Sequence, residues 1–227
     1  VQGRPDALAI DGSHVWVAAN QLDVSWVLKM RLGDGAIVAR RPSGGSLKHI
    51  VYDGENVWVA SDRPTLFKHS AGNAAVLGMF ATPSPVSGLA FDGEHLWAAC
   101  AGADQLLKVQ PGTGKVVATY SLPGPQGLAF DGEYMWVAHA DGVTRLKAAG
   151  EMETFDVGAS SRLLFVGAHM WVAGSGTDGL PTSLTKLPAV DGVPIAQIGL
   201  PEPSAALAFD GINVWTANYN AGTVTKR

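Results

Sequence analysis

The groups in this 227-residue chain with chemistry to offer are six histidines, one cysteine, 20 carboxylates and 16 lysines and arginines. Some stand out by position. His49 and Arg162 stand where matching segments of the chain carry Ala7, Gly88, Gly127 or Ala206, and Lys48 stands one residue earlier, so the three supply two permanent positive charges and a titratable imidazole. A guanidinium forks onto carboxylate or phosphate, so this trio points to an anion site. His139 and His49, with Asp62 or Asp141, offer imidazole and carboxylate donors for a metal site or an acid–base pair instead. Gln126 and Tyr219 occupy neighbouring register positions and complete the candidate ligand-binding set. Cys100 reads as a small buried hydrophobe rather than a nucleophile, and a lone cysteine cannot close an internal disulfide.

These residues can be compared because one phrase recurs along the chain. Residues Ala7–Ala18 (ALAIDGSHVWVA) return as His49–Ala60, Gly88–Ala99, Gly127–Ala138, Arg162–Ala173 and Ala206–Ala217. Trp16, Trp58, Trp97, Trp136, Trp171 and Trp215 share one position of the phrase, at intervals of about 40 residues. Each copy is two short apolar runs around an Asp-Gly pair, a strong hairpin signal. A third run carries a Lys or Arg (Lys29, Lys68, Lys108, Arg145, Lys186, Lys226), and a fourth follows in most copies, as in Lys115–Tyr120. Four strands per repeat make a propeller blade, so the expected fold is all-β: a six-bladed β-propeller of four-stranded antiparallel blades. The reading is one domain over 1–227, with blades near 5–46, 47–83, 84–122, 123–158, 159–201 and 202–227. The last blade is expected to be incomplete at three strands, unless Val1–Gly3 adds a stub. The chain is then best taken as a piece of a longer protein, because an unpaired edge strand is a liability.

The phrase Gly-Leu-Ala-Phe-Asp-Gly-x-x-Leu/Met-Trp-Val-Ala, continued by Lys115-Val-Val-Ala-Thr119, resembles the repeats of bacterial propellers of the YVTN, NHL and virginiamycin B lyase-like (streptogramin lyase) groups. The resemblance covers essentially the whole chain and implies the fold far more than a function. It also implies that ligands sit at the channel mouth, made by the loops entering the innermost strand and leaving the second. There, Lys48, His49 and Arg162 belong to blades two and five, on opposite sides of a six-fold ring. The competing view is that a watery mouth tolerates any polar residue, with Asp6 pairing one of the cations. The lyase-like enzymes are metal-dependent and use histidine and glutamate near such a mouth, but no mouth position here is Glu. The expected function is therefore a non-catalytic sensor or scaffold module binding a small anion or a protein partner, without a cofactor. The alternative is a metal-dependent streptogramin-lyase-like or lactone-processing enzyme, which would need a divalent cation.

Composition narrows the partners. A net charge of −4 is the wrong sign for a nucleic-acid footprint, and no apolar run reaches the roughly 18 residues of a membrane helix. A monomer is expected, with an extracytoplasmic or secreted location slightly favoured. The remaining polar positions have structural explanations. His14, His95 and His169 read as turn residues that tolerate positive φ, and His69 as a solvated outer-strand residue. The third-strand cations read as stems covering the repeat tryptophans. Blade five replaces the turn aspartate with Val166 and carries a Gly/Ser/Thr-rich insertion, Gly174–Pro188, that reads as a binding loop.

Overall fold

The computed structural model describes residues 3–22, 24–147, 150–175, 181–200, 204–218 and 223–226. The first sheet is β1 (Arg4–Ile10), β2 (His14–Asn20), β3 (Ser25–Arg31) and β4 (Ile37–Ser43), in that spatial order. The second repeats it with β5 (Leu47–Tyr52), β6 (Asn56–Ser61), β7 (Thr65–Ser70) and β8 (Val76–Ala81). The third is β9 (Gly88–Phe91), β10 (Leu96–Cys100), β11 (Gln105–Gln110) and β12 (Lys115–Ser121). The fourth and fifth follow as β13 (Leu128–Phe130), β14 (Met135–His139), β15 (Gly142–Leu146), β16 (Met152–Phe155), then β17 (Ser160–Val166), β18 (His169–Ser175), β19 (Pro181–Pro188), β20 (Ala196–Gly199). The sixth has three strands, β21 (Ser204–Phe209), β22 (Val214–Asn218) and β23 (Thr223–Lys226). Every pairing is antiparallel between chain neighbours, and the six sheets are the blades of a β-propeller. The chain forms two compact units, Val1–Ser121 with blades one to three and Leu122–Arg227 with blades four to six. No helix among the described residues is long and apolar enough to cross a membrane.

Five of the six blades share one polar device built into the recurring phrase, which blade five, with Val166 in place of the aspartate, lacks. The first hairpin turns at its glycine, whose φ is positive in all six copies, from +62° at Gly167 to +101° at Gly132. The preceding aspartate closes the turn with Oδ1, accepting the N–H groups two and three residues on, as Asp53 does from Glu55 (2.9 Å) and Asn56 (2.6 Å). Its Oδ2 accepts the indole N–H five residues on: Trp16, Trp58, Trp97, Trp136 and Trp215 lie 2.6–2.9 Å from their aspartates. A buried indole needs such an acceptor, so the aspartate makes a fully buried Trp16, Trp58 or Trp136 tolerable in the core. These bonds outweigh burial at Asp11 and Asp92, and at Asp210 the Asn213 N–H and the Trp215 indole lead. All three carboxyls lie below the usual carboxylate range.

The third-strand cation caps the same tryptophan from the other side. Lys29, Lys68, Lys108, Arg145 and Lys186 sit 5.3–5.5 Å from the centres of Trp16, Trp58, Trp97, Trp136 and Trp171. The cation then reaches the next blade. Lys29 Nζ donates to the Ala71 carbonyl at 2.6 Å, Lys68 Nζ to that of Pro111 at 2.8 Å, and Arg145 to those of Ala189 and Val190. The expected stem-over-tryptophan packing is present, and the head groups stitch consecutive blades as well.

Three expectations are corrected. His69 is fully buried on β7, not solvated. Its Nδ1 lies 2.9 Å from the Ala74 carbonyl, its Nε2 has no partner, and burial lowers its pKa. His14, His95 and His169 stand at or next to the start of the second strand without positive φ; among the described residues only Ala74 and Asp104 adopt it without being glycine. The left-handed position belongs to the glycine two residues earlier. The blade-five insertion is not a loop over its whole length, because β18 runs to Ser175 and Pro181–Pro188 is a strand.

Candidate functional site

The open ends of the inner strands are built differently in the two units. In blades one and two the organiser is Asn20, the last residue of β2. Its amide donates to the Leu47 carbonyl (2.8 Å) and to Asp6, and its Oδ1 accepts the Leu47 N–H (2.8 Å) and the Ser25 hydroxyl (2.7 Å). Asn20 thus copies a backbone pairing onto the start of β5. Asp6 also holds the Arg4 guanidinium at 3.0 Å, and Lys48 Nζ stands 3.9 Å from its other oxygen. Lys48 leaves 41% of its side chain exposed, so this ion pair is loose and solvated. His49, next along β5, is half-buried opposite Ala60. Asp62 is exposed and accepts the Ser46 N–H at 2.9 Å, which closes the link into β5. An open cleft of about 710 Å³, lined by Arg4, Asn20, Gln21, Leu22, Val24 and Ser46, lies against this end.

In blades four and five, Gln126 is exposed and its N–H is bound to the Ala138 carbonyl. Arg162 is exposed on β17 and pairs in register with Ala173. Its strand passes so close to Gly127 that a Cβ there would stand 2.5 Å from the Ser161 carbonyl oxygen, which explains the glycine. His139 turns into its own blade and is 2% exposed. Its Nε2 lies 2.8 Å from the Thr144 hydroxyl and its Nδ1 accepts the Asp141 N–H at 3.2 Å. Burial lowers its pKa, with Asp141 pulling the other way. Ser160, buried beside it, donates to the Gly142 carbonyl at 2.5 Å. Tyr219 lies outside the described residues.

The structure therefore brings Lys48 to Asp6 and Asp62 to Ser46, and directs His139 into hydrogen bonds inside blade four. Among the described residues, no group of three His, Cys, Asp or Glu is placed to hold a metal ion. Cys100 is fully buried and burial pushes its thiol pKa up, as an unreactive cysteine requires. Asn20 and Arg4 went unselected in the sequence. The signal for Asn20 was a polar residue ending an otherwise apolar strand, followed by Ser25.

No protein-family model matches the sequence, and no curated protein is similar to it in sequence. Solved structures are similar in fold. The hydrazine synthase of Kuenenia stuttgartiensis shares 16% identity over 98% of this chain and 83% of that one, with a TM-score of 0.78. The computationally designed Ika8 protein shares 16% over 98% and 70%, at 0.76. A chain of the mitotic checkpoint complex shares 12% over 98% and 76%, at 0.77. At such identities the likeness is one of fold: the chain is a β-propeller.

Proposed function

We propose that the protein is a binding module, taking an anionic ligand or the acidic surface of a protein partner at the basic ends of its inner strands. In the first unit the contacts are Lys48 and His49 of blade two; in the second, the contact is Arg162 of blade five, each unit by itself. The observation that carries the reading is Arg162. It is an exposed residue whose guanidinium is partly desolvated, which lowers its pKa, at a register position where the neighbouring Gly127 and Ala206 offer no reach. A propeller suits this role, because its blades are rigid while the residues at strand ends vary freely. The alternative, a metal-dependent enzyme of the streptogramin-lyase or lactone-processing kind, would draw on His139 or His49 together with a carboxylate, and His139 is the less available of the two. Both nitrogens of that ring are already engaged within blade four.

The test is calorimetric titration of inorganic phosphate, citrate and a polyglutamate peptide at low salt. Lys48→Glu and Arg162→Glu should each weaken the best-bound anion by at least about tenfold, with the difference shrinking as salt rises. Unchanged affinities in both variants would end the reading.

A further inference from the structure

In each four-stranded blade, one side chain of the last strand stands opposite the residue two before the third-strand cation. The residue is Arg41, Phe80, Tyr120, Phe155 and Ile198 in blades one to five. Phe80 and Phe155 plug the seam to the following blade. A Cβ on Gly114 or Gly192 would stand 2.1 or 2.2 Å from their rings, and the rings also pack on Trp58 and Trp136. Blade one has no ring to use. Arg41 is exposed and donates to the Arg40 carbonyl at 2.9 Å.

The seam between blades one and two holds a cleft of about 550 Å³. One wall is Pro42, Ser43 and Gly44; the other is the β7–β8 face, with Thr65, Phe67, Val76, Met79 and Ala81; Arg63 completes the lining. Phe67 is buried at the base, while Met79 is 69% exposed. One polar atom of the cleft's lining is unsatisfied: Ser43 Oγ is buried with no partner. Buried polar atoms of this kind call for an explanation, and a missing ligand is one. Arg63 is exposed and, among the described residues, joins none of the ion pairs. It places a positive charge at the rim of the cleft.

We propose that this cleft binds a small aromatic carboxylate. The ring lies on Phe67 and the Met79 thioether, which favour aromatic contact. The carboxylate forks onto Arg63, and the Ser43 hydroxyl donates to the same end of the ligand. The volume is of the size that takes such a molecule.

The experiment is a titration of the full chain with 3-phenylpropionate and indole-3-propionate, read by the methyl resonances of its five methionines. The neutral amide of each acid and a capped Glu-Phe-Glu peptide serve as comparisons. The acids should shift the Met79 methyl with a Kd on the order of 1 mM or tighter. Arg63→Gln should weaken the acids at least about fivefold while leaving the amides unchanged, and Met79→Asp, which removes the reporter and is followed by calorimetry instead, should weaken the acids about tenfold. Equal binding of acid and amide overturns the proposal. So does a Met79 resonance that the acids leave unmoved, or binding of the capped peptide without binding of the acids, which would mark a peptide groove.

Discussion

The seam between blades one and two and the seam between blades two and three are built from the same repeat, yet one is open and the other closed. In the closed seam Phe80 lies over Gly114, which has φ +70°. In the open seam Ala74 holds the matching left-handed position, with φ +62°, and is fully buried. Alanine fits there because blade one carries Arg41, not a ring, at the register position of Phe80. One side chain per blade thus decides whether the next turn must be glycine and whether a cleft remains.

The largest way to break this comparison is Gly114→Ala. The new methyl must displace the Phe80 ring and accept a left-handed backbone, at about 2–5 kcal/mol. Ala74→Gly should stay within about 1 kcal/mol, since relief of backbone strain offsets a lost buried methyl. Urea unfolding monitored by tryptophan fluorescence measures both, and equal losses would show that the Phe80 ring does not govern the seam.

The aspartate clasp invites a similar test between blades two and five. Asp53→Ala removes the acceptor for the Trp58 indole and two backbone N–H groups, and should cost about 2–3 kcal/mol. Val166→Asp would install that acceptor beneath Trp171, with an expected gain of about 1 kcal/mol by the same denaturation assay. Lys68→Met keeps most of the packing on Trp58 but loses the bond to the Pro111 carbonyl. A loss of about 1–2 kcal/mol is expected, and a loss near zero would make the stitching between blades incidental.

The smallest effect expected is a pH dependence. His69 and His139 both titrate below the ordinary histidine value because burial disfavours their charged forms. The unfolded chain therefore binds protons first. The stability these residues contribute is complete above about pH 6.5 and is lost as the pH falls from there through their folded-state values. His69→Leu, copying Leu146 and Leu187 at the same position of blades four and five, should flatten the fall in urea midpoint between pH 7 and pH 5. Asp11, Asp92 and Asp210 act lower, their stabilisation persisting above about pH 4 and fading as acid protonates them. A variant with an undiminished slope would shift the acid sensitivity to His139.

The repeat was legible because hairpins are local. Asp, Gly and Trp within six residues specify turn, strand and indole acceptor without reference to the rest of the chain. The strand count followed from the same periodicity, including three strands in the last blade. Site residues were less legible. His139 and His49 looked alike at strand ends, but the direction of a side chain depends on which neighbours can satisfy it. Thr144 and the Asp141 N–H draw His139 inward. His69 looked solvated beside Lys68 because adjacent strand residues point to opposite faces, and only packing shows that both faces of β7 are covered.

The blade is written locally, since every bond of the aspartate–tryptophan clasp closes within five residues. What lies between blades comes from packing: which cation reaches which carbonyl, where a ring demands glycine, and where blade one leaves a seam open. Those contacts join residues more than 30 apart in the chain, and no local pattern carries them.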